Sequence, residues 1–221
     1  MFPSSSSPSI RPYRSPEDAA RTFEVFRAAI TQTASTVYEP HQIEAWAGPC
    51  DIDLGEWDRR RTTATTLVAV IDDQVVGFAD LLPDGLVDML FVDPAAGRRG
   101  VARALITRVQ HEARERGIAE LRTLASRSAQ PAFARFGFRV VADRPGNTVR
   151  GVVVPNAEMR CRLGTPTLVI LAGVPYSGKS TLAGVLADRG FGVVEVDDIN
   201  RAEGATPEAL ADHVQDRIAA H

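Results

Sequence analysis

The sequence predicts a mixed α/β (α+β) fold with a mainly antiparallel sheet flanked by helices, followed by a second, incomplete α/β unit. Three observations carry this reading. Apolar residues fall in consecutive strand-length runs from Leu67 to Val92. They recur at helical spacing on either side, as Phe23, Phe26 and Ile30 before and as Val101, Leu105 and Val109 after. A new apolar run opens at Leu168, behind the seam GTPT at 164–167. Strand runs mixed with helices argue for α/β or α+β architecture.

In chain order, SIRPYR reads as a short first strand. SPEDAARTFEVFRAAI reads as a helix, with Ser15 as its cap, Pro16 in its first turn, and Glu17 and Asp18 at the positive end of its dipole. PHQIEAWA and LGEWDRRRT give two further helices. TLVAVIDDQVVGFADLLPDG reads as a hairpin turning at Asp72-Asp73, and GLVDMLFVDP as a strand stopped by Pro94. A turn at 97–100 leads into a helix reaching about Gly117. ELRTLAS is a strand and QPAFARFG a short helix ended by Gly137. FRVVADRP and RGVVVPNAEMRCRL are expected as a closing antiparallel pair. The organisation is a disordered tail over 1–8, a domain over 9–164, and a second unit over 165–221.

Composition narrows the function. Charged residues are 24% and the net charge is -3, so a general nucleic-acid binder is not expected. Cys50 and Cys161 stand far apart and the four histidines form no ligand pattern, so no metal site is expected. The serine- and proline-rich start lacks the basic and apolar regions of a signal peptide, and no apolar run reaches about 20 residues. A cytoplasmic setting without membrane contact follows as the default.

Two stretches carry chemistry. In VDPAAGRRGVARALI, residues 92–106, a strand ends, a glycine turn follows and a helix begins. The first amides of a helix lack partners and carry the positive end of its dipole, which suits a pyrophosphate. Arg98, Arg99 and Arg103 add positive charge. GRRGVA at 97–102, after Val92-Asp93-Pro94, resembles the Q/R-x-x-G-x-G/A signature of the GNAT N-acetyltransferases, with Gly97 in place of the usual first residue. FARFGF at 133–138 resembles that superfamily's Y-x-x-x-G-F. YEPHQIEAWA at 38–47 is similar to a Y-x-x-x-Q-x-x-x-W-A motif of one bacterial branch.

The resemblance covers residues 9–164 and implies acetyl-CoA as cosubstrate and an amine, of a small molecule or less readily a protein, as acceptor. It implies that the backbone of Leu90, Phe91 and Val92 pairs with the pantetheine arm. It places the pyrophosphate on residues Gly97, Arg98, Arg99, Gly100, Val101 and Ala102, with Ser126 and Phe133 also against the cofactor. Phe133 stands where the family's acid is a tyrosine, and phenylalanine cannot donate a proton. Tyr38 is therefore the candidate acid and Asp88 the candidate base, with His41 and Trp46 lining the acceptor site. A CoA-binding module without turnover is the non-enzymatic alternative. Exposed C-terminal strand edges could support a homodimer.

The second stretch, GVPYSGKS at 173–180, satisfies G-x-x-x-x-G-K-[ST] in full. Gly173, Gly178, Lys179, Ser180 and Thr181 are the candidate nucleotide ligands. GFGVVEVDDINR resembles the second strand of small P-loop kinases, with Asp198 as the candidate acceptor-binding residue. In that family a third strand lies between the first two, whereas 205–221 reads as one helix. The unit is thus expected to be truncated, or a piece of a longer bifunctional acetyltransferase–kinase, and ATP with magnesium is not its expected cosubstrate.

Overall fold

The computed structural model describes residues 7–164 together with 181 and 182. The chain divides into two compact units, Met1–Thr165 and Pro166–His221. The tail residues 1–6 and the candidate nucleotide residues Gly173, Gly178, Lys179, Ser180 and Asp198 lie outside the described residues; Thr181 is helical and exposed. No helix among the described residues is long and apolar enough to cross a membrane.

The first unit opens with β1 (Ser9–Pro12), α1 (Ala19–Ala28), α2 (Pro40–Ala47) and α3 (Leu54–Thr63). There follow β2 (Thr65–Ile71), β3 (Gln74–Leu81), β4 (Val87–Val92), α4 (Val101–Glu115), β5 (Glu120–Ser126) and α5 (Gln130–Arg135). β6 (Arg139–Arg144), β7 (Thr148–Val149), β8 (Val152–Val153) and β9 (Asn156–Arg162) close it. One antiparallel sheet runs β1-β2-β3-β4 and a second runs β5-β9-β6. Leu86 and Arg122 join them by a single parallel bridge.

Strand alternation sorts the core. Leu67, Ala69 and Ile71 of β2 face α4, whose Val101, Leu105, Ile106, Val109 and Ala113 are buried on the same side. Val68 and Phe78 face Phe23, Val25 and Trp57 of α1 and α3. Each fully buried Leu, Ile or Phe side chain contributes about 1.5–3 kcal/mol, so the helices are held to the sheet from both faces.

The structure corrects two expectations. Ser15 does not cap α1; its hydroxyl donates to Asp58 Oδ2 at 2.6 Å, and the helix begins four residues later. Asp18 holds the boundary instead. Its carboxylate accepts both Arg11 nitrogens at 2.6 and 2.9 Å and the Arg14 amide at 2.8 Å, so no side-chain cap forms. The closing strands are not a simple pair. Thr148–Val153 folds into its own short hairpin, β7-β8, turned on Arg150 and Gly151, both with positive φ. β9 then enters between β5 and β6.

Candidate active site

β4 and β5 part just beyond their bridge. The Thr123 hydroxyl donates to the Val87 carbonyl at 2.9 Å, and past that point no ladder joins the strands. A cleft of about 430 Å³ opens there. Leu90, Phe91, Val92 and Gly97 line one side; Ser126, Ala129 and Phe133 line the other.

The register of β4 sets the most useful side chain. Asp80 pairs with Met89 but Leu81 pairs with Val87, which leaves Asp88 as the extra residue of a β-bulge. A bulge re-aims its side chain. Asp88 accordingly lines the cleft and also a second cavity of about 400 Å³ beside α3. In that second cavity Arg61 and Asp80 form a buried ion pair at 2.9 Å, their side chains 2% and 1% exposed. Arg61 lies over the Trp57 ring at 4.3 Å and donates to Met89 Sδ at 3.1 Å, while its Nε is buried without a partner. Burial pushes the Asp80 carboxyl up to about 6 against the opposing pull of Arg61 and of the Thr66 hydroxyl, and nearby Asp88 pushes it the same way. Burial also lowers the Arg61 guanidinium in spite of Asp80. Both partners therefore report that desolvation outweighs their mutual attraction.

The motif YEPHQIEAWA spaces Tyr38, Gln42 and Trp46 four residues apart; Gln42 and Trp46 are on one side of α2, and Tyr38 stands in the bend just before it. The Tyr38 hydroxyl donates to the Pro155 carbonyl at 2.5 Å and accepts the Arg127 amide at 2.9 Å. Gln42 caps the Glu39 amide and donates to Val153 O at 2.6 Å. The Trp46 ring meets Tyr38 edge-on at 5.7 Å and Phe91 at 6.5 Å. The C-terminal carbonyls of α2 are held by Arg27, which donates to Gly48 O at 2.7 Å, and by Arg150, which donates to Ala45 O at 2.7 Å. The Arg150 guanidinium occupies the space where a Cβ on residue 48 would sit, at 2.5 Å, and φ there is +67°, so only glycine fits.

Of the expected site residues, Tyr38, Trp46, Asp88, Leu90, Phe91, Val92, Gly97, Ala102, Ser126 and Phe133 line the cleft together. Arg98, Arg99, Gly100 and Val101 form the turn and first residue of α4; Val101 turns its side chain into the core. Gly100 sits at φ +79°, a left-handed conformation that orients the first helical amides. His41 is a correction: it is exposed on α2 and does not line the cleft. Tyr38 reaches the cleft, where its hydroxyl proton is directed at the Pro155 carbonyl and burial raises its pKa. Phe133 packs edge-on against Phe138 at 5.0 Å. Sequence reasoning missed Asn156, whose Oδ1 is buried in the cleft wall without a partner. It also missed the Arg61–Asp80 pair, although a carboxylate inside the apolar run GFADLL was its signal.

A family model described as Acetyltransferase (GNAT) domain matches residues 34–161, more than half of the chain. The chain belongs to the GNAT acetyltransferase family. Among curated proteins it is 40% identical to the uncharacterized N-acetyltransferase YafP of Escherichia coli over 68% of this chain and 93% of that one. Among solved structures it is 35% identical, with a TM-score of 0.66, to a GCN5-related N-acetyltransferase from Rhodopseudomonas palustris, covering 71% of this chain and 96% of that one. The fold is also that of the acetyltransferase yncA from Salmonella typhimurium, solved with acetyl-CoA, at 21% identity and a TM-score of 0.55 over 76% of this chain and 100% of that one. As a GNAT protein the chain is an acyltransferase of the N-acetyltransferase class, built on a mixed α/β fold.

Proposed function

We propose that the cleft holds acetyl-CoA and passes its acetyl group to an amine, with Asp88 as the base. The observation that carries this is the bulge that turns Asp88 into the cleft beside Leu90–Val92, whose outer backbone edge has no strand partner. The pantetheine amides supply that missing partner, and the first amides of α4 with the turn at 97–102 hold the pyrophosphate. Ser126 and Phe133 bound the cofactor on the β5 side.

In the transfer, the amine gives up one proton to become neutral. Its lone pair forms a bond to the thioester carbon, Asp88 takes the second proton directly or through water, and the C–S bond breaks. The thiolate leaves and takes a proton as free CoA. A thiol is acidic, with a pKa of about 8.5, so departure needs little acid help and Phe133 is tolerated. Tyr38 acts as a positioning residue that ties α2 to the strand ends. Trp46 lines the acceptor side.

Thermal unfolding with and without acetyl-CoA, joined to thiol release over an amine panel, tests the reading. A stabilised protein that releases no thiol with any amine would favour a CoA-binding module without turnover. A separate reading attaches to GVPYSGKS, whose complete motif suits a nucleotide phosphate. A rise in unfolding temperature with ATP and magnesium, lost in Lys179→Ala, would support it, and no rise would dismiss it.

A further inference from the structure

We propose that the acetyl acceptor is a monoamine on an apolar, ring-sized body that carries no anionic group, an inference that rests on the acetyl-transfer reading above. The end of the cleft away from the α4 turn is walled by aromatic rings. Phe26 meets Phe91 edge-on at 5.0 Å, and Trp46 lies 6.5 Å from Phe91. Ile30, Val149 and Val154 add aliphatic surface, and Thr33, Asn147 and Asn156 are neutral polar groups in the same lining.

Charge in the cleft has one sign. No arginine, lysine or histidine lines it among the described residues. Its two carboxylates differ in availability. Asp93 is taken by Arg21 at 2.5 Å and by the Ala95 amide at 2.9 Å, whereas Asp88 makes no hydrogen bond or ion pair among the described residues. A carboxylate or phosphate on the acceptor would be buried beside Asp88 with no cation among the cleft's lining residues, since Arg61 lies in the second cavity and is paired with Asp80, and this is strongly unfavourable. A single ammonium is drawn to Asp88 and to the ring faces. The extra ammonium groups of a polyamine would find no second free carboxylate, only neutral groups such as Asn156. Desolvation by those walls also lowers the pKa of a bound amine, which favours the neutral form that attacks.

The test uses the full chain with saturating acetyl-CoA and three probes: phenethylamine, phenylalanine and spermidine. Thiol release gives kcat/KM, and calorimetry gives binding of each probe to the CoA-loaded protein. We expect phenethylamine to exceed both others by at least about tenfold, a difference of about 1.4 kcal/mol. Trp46→Ala should raise the KM for phenethylamine several-fold with a smaller change in kcat and none in the KM for acetyl-CoA. Phenylalanine or spermidine matching phenethylamine would overturn the inference. If none of the three is acetylated while another amine of the wider panel is, the inference is overturned and the acetyl-transfer reading stands; if no amine at all is acetylated, that reading fails, and the binding order decides the acceptor class: tightest binding of phenethylamine upholds it, while equal or absent binding refutes it.

Discussion

Replacing both members of the buried Arg61–Asp80 pair by apolar residues should leave the first unit as stable as it is now, or more so. Removing either one alone should be severe. The Asp80 carboxyl moves from an ordinary 3.8 to about 6, which corresponds to about 3 kcal/mol against its ionised form at neutral pH. Because the folded pKa is raised, the folded state binds a proton more readily than the unfolded state between those values. Stability should therefore rise as pH falls from about 7 toward 4, as far as this group decides it. Arg61→Met or Asp80→Leu alone strands the other charge and should lose about 3–5 kcal/mol. In the double variant nothing polar is stranded, because the Thr66 hydroxyl keeps the Arg61 backbone carbonyl at 2.8 Å. The double variant should then lie within about 1 kcal/mol of the parent, with a large coupling between the sites. The assay is denaturant unfolding followed by tryptophan fluorescence, since both tryptophans, Trp46 and Trp57, lie in this unit. A double variant that loses as much as the two single losses added would refute the reasoning, as would a parent that loses stability between pH 7 and 5.

Asp88→Asn should lower kcat/KM by about 10²–10⁴, with partial recovery at high pH where the amine is already neutral; steady-state thiol release across pH checks this. Tyr38→Phe should lower stability by about 1–3 kcal/mol, because it leaves a buried carbonyl and amide unpaired, and should leave the pH profile of kcat in place; a lost alkaline limb would return Tyr38 to the acid role. Gly48→Ala forces a Cβ into the Arg150 guanidinium at φ +67° and should lower the unfolding temperature measurably, by well over the effect expected of an exposed loop alanine. Gly100→Val sets a β-branched residue at φ +79° and should raise the KM for acetyl-CoA more than it lowers kcat.

Much of this was legible before the structure. The apolar runs and the Asp72-Asp73 turn located the β2–β3 hairpin, because a hairpin with positive φ at both turn positions leaves local marks. The glycine turn before α4 was legible for the same reason, and Tyr38 and Trp46 through the resemblance of YEPHQIEAWA to a family motif. What was not legible depends on residues distant in sequence. Ser15 looks like a cap until Asp58, far along the chain, takes its hydroxyl. The bulge at Asp88 arises from the register between two strands, which neither strand states alone. Tyr38 could be named as a cleft residue from its motif, but its bond to Pro155 comes from the far end of the unit. His41 shares the motif and still faces solvent, on the exposed side of α2 with Pro40 and Glu44.

The strand order β5-β9-β6 has a consequence for the newborn chain. β5 and β6 hydrogen-bond to β9 and not to each other. As the chain leaves the ribosome, β2, β3 and β4 can pair in sequence order with neighbours just made, and β1 is already there to meet β2. The second sheet has no such sequence of steps. Glu120–Ser126 and Arg139–Arg144 must wait without a strand partner until Asn156–Arg162 emerges and slots between them. Unpaired strand edges are the places where nascent chains stick to one another. The half of the molecule that closes the cleft is therefore finished in a single late event, and slowing translation between residues 126 and 156 should lower the yield of active enzyme without changing one residue of it.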